Sequence, residues 1–280
     1  MKPKITVVTV CYNAQNTIRQ TIESVVNQDY ENKEYIIIDG GSTDNTLNIL
    51  QEYAGELRYI SEPDKGIYDA MNKGISLATG DYIEFIGADD ALASNDVLDK
   101  IAKIIETDDK IDVLCAAQYL VEEKTHLERL LDCTPAIMAE RGEKVMPWVP
   151  HGSMFTRRSL LLENPFDLNY HICADFDFIL KCFFNPHIKM KYVDFVATYF
   201  SDGGVSSTND EKTLAEHYKI LKKYGLPAAL LNKNQKNNSK IKNAIKNILN
   251  PLGLWNKLRL MGKVRKHHCQ NTVCRWCSRG

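Results

Sequence analysis

Residues 62–90 read EPDKGIYDAMNKGISLATGDYIEFIGADD, and the fold turns on how this stretch is parsed. From about Ile67 to Leu77 the apolar residues recur at helical spacing. Tyr82-Ile83-Glu84-Phe85-Ile86 then forms a strand-length apolar run that ends at Gly87-Ala88-Asp89-Asp90. Two adjacent carboxylates at the carboxyl end of a buried strand are costly to leave unpaired. A divalent cation would offset that cost, and hard oxygen ligands suit Mg²⁺ or Mn²⁺. The competing reading is a turn with two solvated aspartates.

The residues before this stretch add two more strand ends. Lys4–Cys11 (KITVVTVC) is β-branched and apolar, and a helical pattern follows through Ile18, Ile22, Val25 and Val26. Tyr35–Ile38 forms a second strand that stops at Asp39-Gly40-Gly41, where Ser42, Thr43 and Asp44 supply capping chemistry for a helix through Leu47, Ile49 and Leu50. A weaker third strand lies near Leu57–Ile60. Strands alternating with helices imply an α/β fold, Rossmann-like, with a mostly parallel sheet. Right-handed crossovers place every carboxyl end on one side. Ligands bind outside those ends, so Asp39 and the Asp89/Asp90 pair share one crevice. Lys65, Gly66, Tyr68 and Asn72 face it too. Gly66 permits a positive φ, and Lys65 either neutralises phosphate or is solvated. The turn after strand one, Cys11-Tyr12-Asn13-Ala14-Gln15, lacks the G-x-G-x-x-G of a dinucleotide fold. NAD is thereby excluded.

TVVTVCYNAQNTIRQTIESVVNQDY, EYIIIDGGSTDNT and the opening stretch, taken in order, resemble the donor half of a family-2 glycosyltransferase of GT-A fold. The resemblance covers roughly residues 3–120 and is nearest to the bacterial branch that builds O-antigen, capsule or colanic-acid-like exopolysaccharide. It implies an inverting transfer from a nucleotide-sugar, a UDP-sugar in the first instance, to a polyprenyl-diphosphate-linked glycan. By resemblance, Asp39 contacts the uracil or ribose, and Tyr12 flanks the base with the backbone near Thr9 and Cys11. Asp89 bonds ribose or sugar hydroxyls, and Asp90 binds the metal. The family's D-x-D appears here as Ala88-Asp89-Asp90. Without the resemblance, Asp39 would also serve as a helix-capping aspartate beside Gly40-Gly41.

The second half supplies His151-Gly152-Ser153-Met154-Phe155 and Ala174-Asp175-Phe176-Asp177. Asp175 matches the family's catalytic base, with Ala174 where many members carry Glu. A carboxylate there can take the acceptor hydroxyl's proton as it attacks C1 opposite the diphosphate. The alternative is an aspartate favoured by a helix dipole. Asp177 lies on another face and is expected to cap or orient. His151 either contacts the diphosphate or acceptor or is structural.

At 280 residues, 44% of them hydrophobic, the chain can bury one substantial core with a small appendage. The expected division is a catalytic domain over 1–225 (donor half 1–120, acceptor half 121–225) and a basic helical extension over 226–280. No 18-residue apolar run exists, the amino-terminal segment has no cleavage site, and eight cysteines lack regular spacing. The expectation is a reduced cytoplasmic protein, peripheral on the inner face of the plasma membrane. The net charge of −1 hides a segregation, because residues 217–280 hold 15 Lys and Arg and no acid. Ile241, Ala244, Ile245, Ile248, Leu249 and Leu252 form one helical face there, so residues 233–262 read as an anionic-membrane anchor. With no recognised nucleic-acid fold, that partner is set aside; packing of the tail on the acidic catalytic domain stays open. His267-His268-Cys269 and Cys274-Arg275-Trp276-Cys277 could hold zinc, but the spacing fits no common motif, and the end reads as a disordered terminus with free thiols. A nucleotidyltransferase would need a Gly-rich, Arg-containing loop after strand one. An inactive membrane scaffold would not need Asp39, Asp89, Asp90 and Asp175.

Overall fold

The computed structural model describes residues 2–204, 210–231, 264–267, 269 and 274–277. The proposed membrane-binding stretch 233–262 lies outside them. Four strands, β1 (Ile5–Cys11), β2 (Lys33–Asp39), β3 (Arg58–Ser61) and β4 (Tyr82–Gly87), run parallel in the order β4-β1-β2-β3. Helices α1 (Ile18–Val26), α2 (Thr46–Glu52) and α3 (Ile67–Leu77) make the crossovers. These bounds agree with the sequence reading to within two residues, the largest differences being the start of β2 at Lys33 and the end of α2 at Glu52. Its first turn is held by Asp44, whose carboxylate accepts the Thr46 amide at 2.9 Å.

The near-continuous apolar runs of β1, β2 and β4 follow from helices on both faces. Val8, Val10, Ile36, Ile38, Ile83 and Phe85 point to one core, under α3, α6 (Arg158–Glu163) and α7 (Ala174–Phe184). Ile5, Val7, Tyr35, Ile37, Tyr82 and Ile86 point to the other, under α1, α2 and α4 (Val97–Thr107). Gly74 lets α3 lie close on β1, since a Cβ there would stand 2.5 Å from Val8 Cγ1. Glu84 interrupts the second face: it is fully buried, and neither carboxylate oxygen has a partner. Burial pushes its carboxyl well above the usual range.

Beyond β4 the sheet turns antiparallel. β8 (Met154–Arg157) pairs with β4 and with β6 (Val113–Val121), and β6 pairs with β7 (Leu127–Leu131). β9 (Met190–Ser201) runs parallel to β6 and catches the short β5 (Ala91–Leu92). The two halves expected from the sequence therefore share one sheet, and β6 spans their boundary. Helix α5 (Thr134–Glu140) follows β7, and α8 (Asp210–Lys223) packs on α7.

The described part of the carboxyl terminus departs from the expectation of disorder. β10 (Val264–Lys266) adds antiparallel to β7, and Trp276 is fully buried against Tyr199 and His267. The backbone pairing and an indole with a hydrogen-bond partner give this segment what an isolated tail lacks. No helix among the described residues is long and apolar enough to cross a membrane.

Candidate active site

Register alone assembles the crevice. Cys11 pairs with Asp39, Asp39 with Ser61, and Val10 with Gly87. The four parallel strands therefore end at nearly one level, and everything after those residues hangs over a common edge.

Asp39 sits beneath that edge rather than on it. It is fully buried. Its carboxylate accepts the Gly41 and Ser42 amides at 3.1 and 2.9 Å, the Ser42 and Ser61 hydroxyls at 2.5 and 2.6 Å, and the Cys11 thiol at 3.4 Å. Burial alone would raise this carboxyl, but the hydrogen bonds outweigh it and hold it below the usual range. As placed, Asp39 is the organiser of the β2–α2 turn and presents no surface to a base. Cys11 is likewise buried, its thiol raised by burial and by Asp39.

Above this turn, Tyr12 is 63% exposed. Asn13 takes φ of 51°, a region Asn tolerates better than most residues. It closes the turn by donating its backbone amide to Ser42 Oγ at 2.7 Å and accepting the Thr43 amide on its side-chain oxygen at 2.9 Å. Asp64, which the sequence reading passed over, reaches into the space left by Gly40: a Cβ at Gly40 would meet Asp64 Oδ2 at 2.5 Å and Tyr12 Cδ2 at 3.6 Å. Its only sequence signal was the P-D-K-G turn pattern. Gly66, at φ of 119°, precedes α3 and donates to Asp64 Oδ1 at 2.8 Å, and Lys65 is exposed beside it.

Asp89 and Asp90 crowd the end of β4. A Cβ at Gly87 would lie 2.6 Å from Asp90 Oδ2 and 3.0 Å from Asp89 Oδ1, so only glycine leaves room for both carboxylates. Asp90 is buried and accepts the Gly87 amide at 3.1 Å and the Ser201 amide at 2.9 Å. Burial raises both carboxyls, and Asp90 is raised further by Asp89. Asp89 is the more open of the two. Paired, close-set oxygen donors that resist ionisation next to one another fit a hard dication, which supplies the missing counter-charge.

The other wall comes from the second half. Tyr68 Oη stands 2.7 Å from Asp175 Oδ1 and 2.7 Å from the Ile172 carbonyl. His151 stacks on Phe85 at 6.0 Å and meets Phe166 edge-on at 5.7 Å. Burial lowers its pKa, opposed by the nearby Asp175 carboxylate. Because Phe85 lies two residues before Gly87 on β4, the aromatic stack links the metal-fitting turn to Asp175.

Three expected site residues lie elsewhere. Thr9 is buried mid-strand and its hydroxyl pairs with Tyr35 at 3.0 Å, since β1 must fill both cores. The Asn72 amide is spent on the Phe166 backbone, donating at 2.9 Å and accepting at 2.9 Å. Asp177 is buried and bridges to Lys223 at 2.7 Å, tying α7 to α8. The sequence reading also missed Arg275. Its guanidinium donates to the Asp89 carbonyl and to Glu123, each at 2.6 Å, a contact across 186 positions that no local pattern announces.

A groove of about 820 Å³ lined by Lys2, Asp81, Asp108, Arg157 and Lys189 opens at the opposite end of β4 and contains none of these residues.

Comparison with known proteins agrees with this geometry. Residues 6–163 match the family model described as glycosyl transferase family 2. A PGL/p-HBAD biosynthesis glycosyltransferase of Mycobacterium bovis is 30% identical over 230 residues, covering 80% of this chain and 87% of the relative. A cholesterol galactosyltransferase of Borreliella burgdorferi is 28% identical over 220 residues, covering 71% of this chain and 59% of the relative. Among solved structures, S. aureus TarS 1-349 in complex with UDP-GlcNAc superposes with a TM-score of 0.57 at 19% identity, over 78% of this chain and 65% of that one. The mannosyltransferase PcManGT from Pyrobaculum calidifontis, in complex with GDP-Man and Mn²⁺, gives a TM-score of 0.58 at 16% identity, again over 78% and 65%. These superpositions show the GT-A fold. With the edge of strand ends, the paired carboxylates and the family match in agreement, the chain belongs to glycosyl transferase family 2, the enzymes that pass a sugar from a nucleotide donor to an acceptor.

Proposed function

We propose that this chain is an inverting, divalent-cation-dependent hexosyltransferase that takes its sugar from a UDP-sugar. Its acceptor would be a lipid-linked glycan, polyprenyl-diphosphate-linked in the first instance, in the assembly of a cell-surface polysaccharide such as an O-antigen or capsule. The observation that carries the reading is the Asp89/Asp90 pair packed against Gly87, at the end of the strand whose Phe85 packs through Phe166 and Tyr68 to Asp175. TarS was solved with UDP-GlcNAc and PcManGT with GDP-Man and Mn²⁺, which supports a nucleotide-sugar and a dication. The Borreliella relative's name specifies a lipid acceptor.

In this reading exposed Tyr12 stacks on the base, and partly buried Asp64 is the carboxylate that would reach a base N–H or ribose hydroxyl. Asp39 acts one layer below, by holding the loop that shapes that pocket. Asp89 and Asp90 would hold Mg²⁺ or Mn²⁺, which neutralises the departing diphosphate. Asp175 takes the acceptor hydroxyl's proton, with Tyr68 fixing its orientation. Exposed Lys65 would meet phosphate from solvent. Residues 233–262, with their basic composition, would hold the enzyme at an anionic leaflet on the cytoplasmic face.

The test is a mass-spectrometric screen of UDP- and GDP-sugars with Mn²⁺ against undecaprenyl-diphosphate-linked and sterol acceptors, with the product anomer assigned by NMR. Transfer from a UDP-sugar with inverted configuration is expected. A retained anomer, or transfer only from GDP-sugars, would overturn the corresponding part. Replacing Lys240, Lys242 and Lys246 by Gln should weaken binding to anionic vesicles without changing turnover of a water-soluble acceptor. Equal vesicle binding by parent and variant would remove the membrane role.

A further inference from the structure

His267, Cys269, Cys274 and Cys277 bring one ring nitrogen and three sulfurs within 4.8 Å of one another. None of these residues belongs to the sugar-transfer site. The pairing of β10 with β7 delivers them, with Lys266 opposite Leu127 and the His267 amide bonded to the His126 carbonyl at 2.8 Å. Within the cluster, His267 Nε2 lies 3.2 Å from Cys274 Sγ, and the sulfurs of Cys269 and Cys277 are 3.7 Å apart. A disulfide needs about 2.05 Å. Four donors on a tetrahedral zinc, with Zn–S near 2.3 Å, sit roughly 3.5–3.8 Å from one another. We propose that this cluster is a structural zinc site with a Cys3His donor set, closing the end of the chain onto the catalytic sheet.

The surroundings suit a metal. Glu128 is buried and pairs with His267 Nδ1 at 2.9 Å, which turns Nε2 toward the sulfurs and supplies the outer-shell carboxylate typical of zinc histidines. The Cys269 amide donates to Cys277 Sγ at 3.4 Å. Zinc takes the deprotonated form of each ligand, so its binding releases the thiol and imidazole protons. The loop between the last two ligands holds Arg275 and Trp276. Arg275 reaches the Asp89 carbonyl and Glu123, and the Trp276 indole donates to Glu123 at 2.8 Å. The metal thereby fixes the segment that buttresses the Gly87–Asp90 turn.

Full-length protein purified from zinc-sufficient medium should carry about one zinc per chain by elemental analysis. Cobalt exchange should give the thiolate charge-transfer and d–d bands of tetrahedral sulfur-rich coordination. Cys274→Ser and Cys277→Ser should each lose the metal, whereas Asp90→Ala should keep it, which separates this site from the donor dication. Removing zinc should lower the melting temperature, with recovery on adding Zn²⁺ but not Mg²⁺ or Mn²⁺. The cobalt spectrum is read on the unaltered protein, so it decides even if a serine variant fails to fold. Substoichiometric zinc with no thiolate bands would overturn the proposal, as would zinc retained in both serine variants or lost in Asp90→Ala.

Discussion

The phenol of Tyr68 lies 2.7 Å from Asp175 Oδ1, joining residues 107 positions apart. The ring of Tyr68 packs on Phe166 at 5.4 Å, so the contact fixes α7 against α3 as well as orienting a carboxylate. Tyr68→Phe keeps the ring and removes the hydroxyl. Turnover should fall about 10-fold with donor KM little changed, because orientation matters in the transition state rather than in donor binding. Asp175→Asn should cost more, on the order of 10²–10⁴ in kcat, while donor binding by calorimetry stays intact. Turnover of the Asn variant within a few-fold of the parent would reassign the base.

Asp90→Ala removes half of the carboxylate pair and the acceptor of the Gly87 and Ser201 amides. Turnover supported by Mn²⁺ should drop to the level seen with excess chelator. If chelator leaves the parent's rate unchanged, the dication has no part in the reaction.

Asp39→Ala orphans donors from Gly41, Ser42 and Ser61 at once. Leaving buried donors unsatisfied costs about 1–3 kcal/mol each before relaxation, so the variant should melt earlier and bind UDP more weakly. The group's folded pKa is depressed, so its contribution to stability is present above the unfolded carboxyl pKa and fades as pH falls through the folded one. The gap in melting temperature between parent and variant should narrow on acidification. Unchanged stability with weaker UDP binding would instead mark Asp39 as a direct nucleotide contact.

Glu84→Met should stabilise the protein at neutral pH. The folded carboxyl is pushed well above 4.5 by burial, whereas the unfolded one ionises there. Stability is therefore lost as pH rises above the unfolded value, by about 1.4 kcal/mol per unit until the folded pKa is reached. The gain from the apolar residue should amount to roughly 1–4 kcal/mol near pH 7.5 and shrink toward pH 4.5, as followed by thermal melts across that range. A gain independent of pH would mean that Glu84 is not held neutral.

The sequence by itself determined the parallel half of the fold and the family. Strands such as Lys4–Cys11 and Tyr82–Ile86 are buried on both faces, so their apolar runs are uninterrupted enough to read, and Asp39 and Asp89/Asp90, after the second and fourth strands, fall on one edge by the rule of right-handed crossovers. The family resemblance singled out Asp175, and helical period set it apart from Asp177, because residues two apart on a helix face different ways. Local pattern could not tell a carboxylate that faces the crevice from one that is consumed beneath it: Asp39 and Asp64 both belong to turn-forming patterns, and only packing buried the first fully and left the second partly open. Thr9 and Asn72 were misplaced for the same reason, since what a side chain touches depends on strands and loops far away in sequence. The terminus was the least legible part. His267, Cys269, Cys274 and Cys277 have no helical or strand period that would bring them together; it is the pairing of β10 with β7, set by long-range backbone hydrogen bonds, that gathers them and seats Arg275 at Asp89.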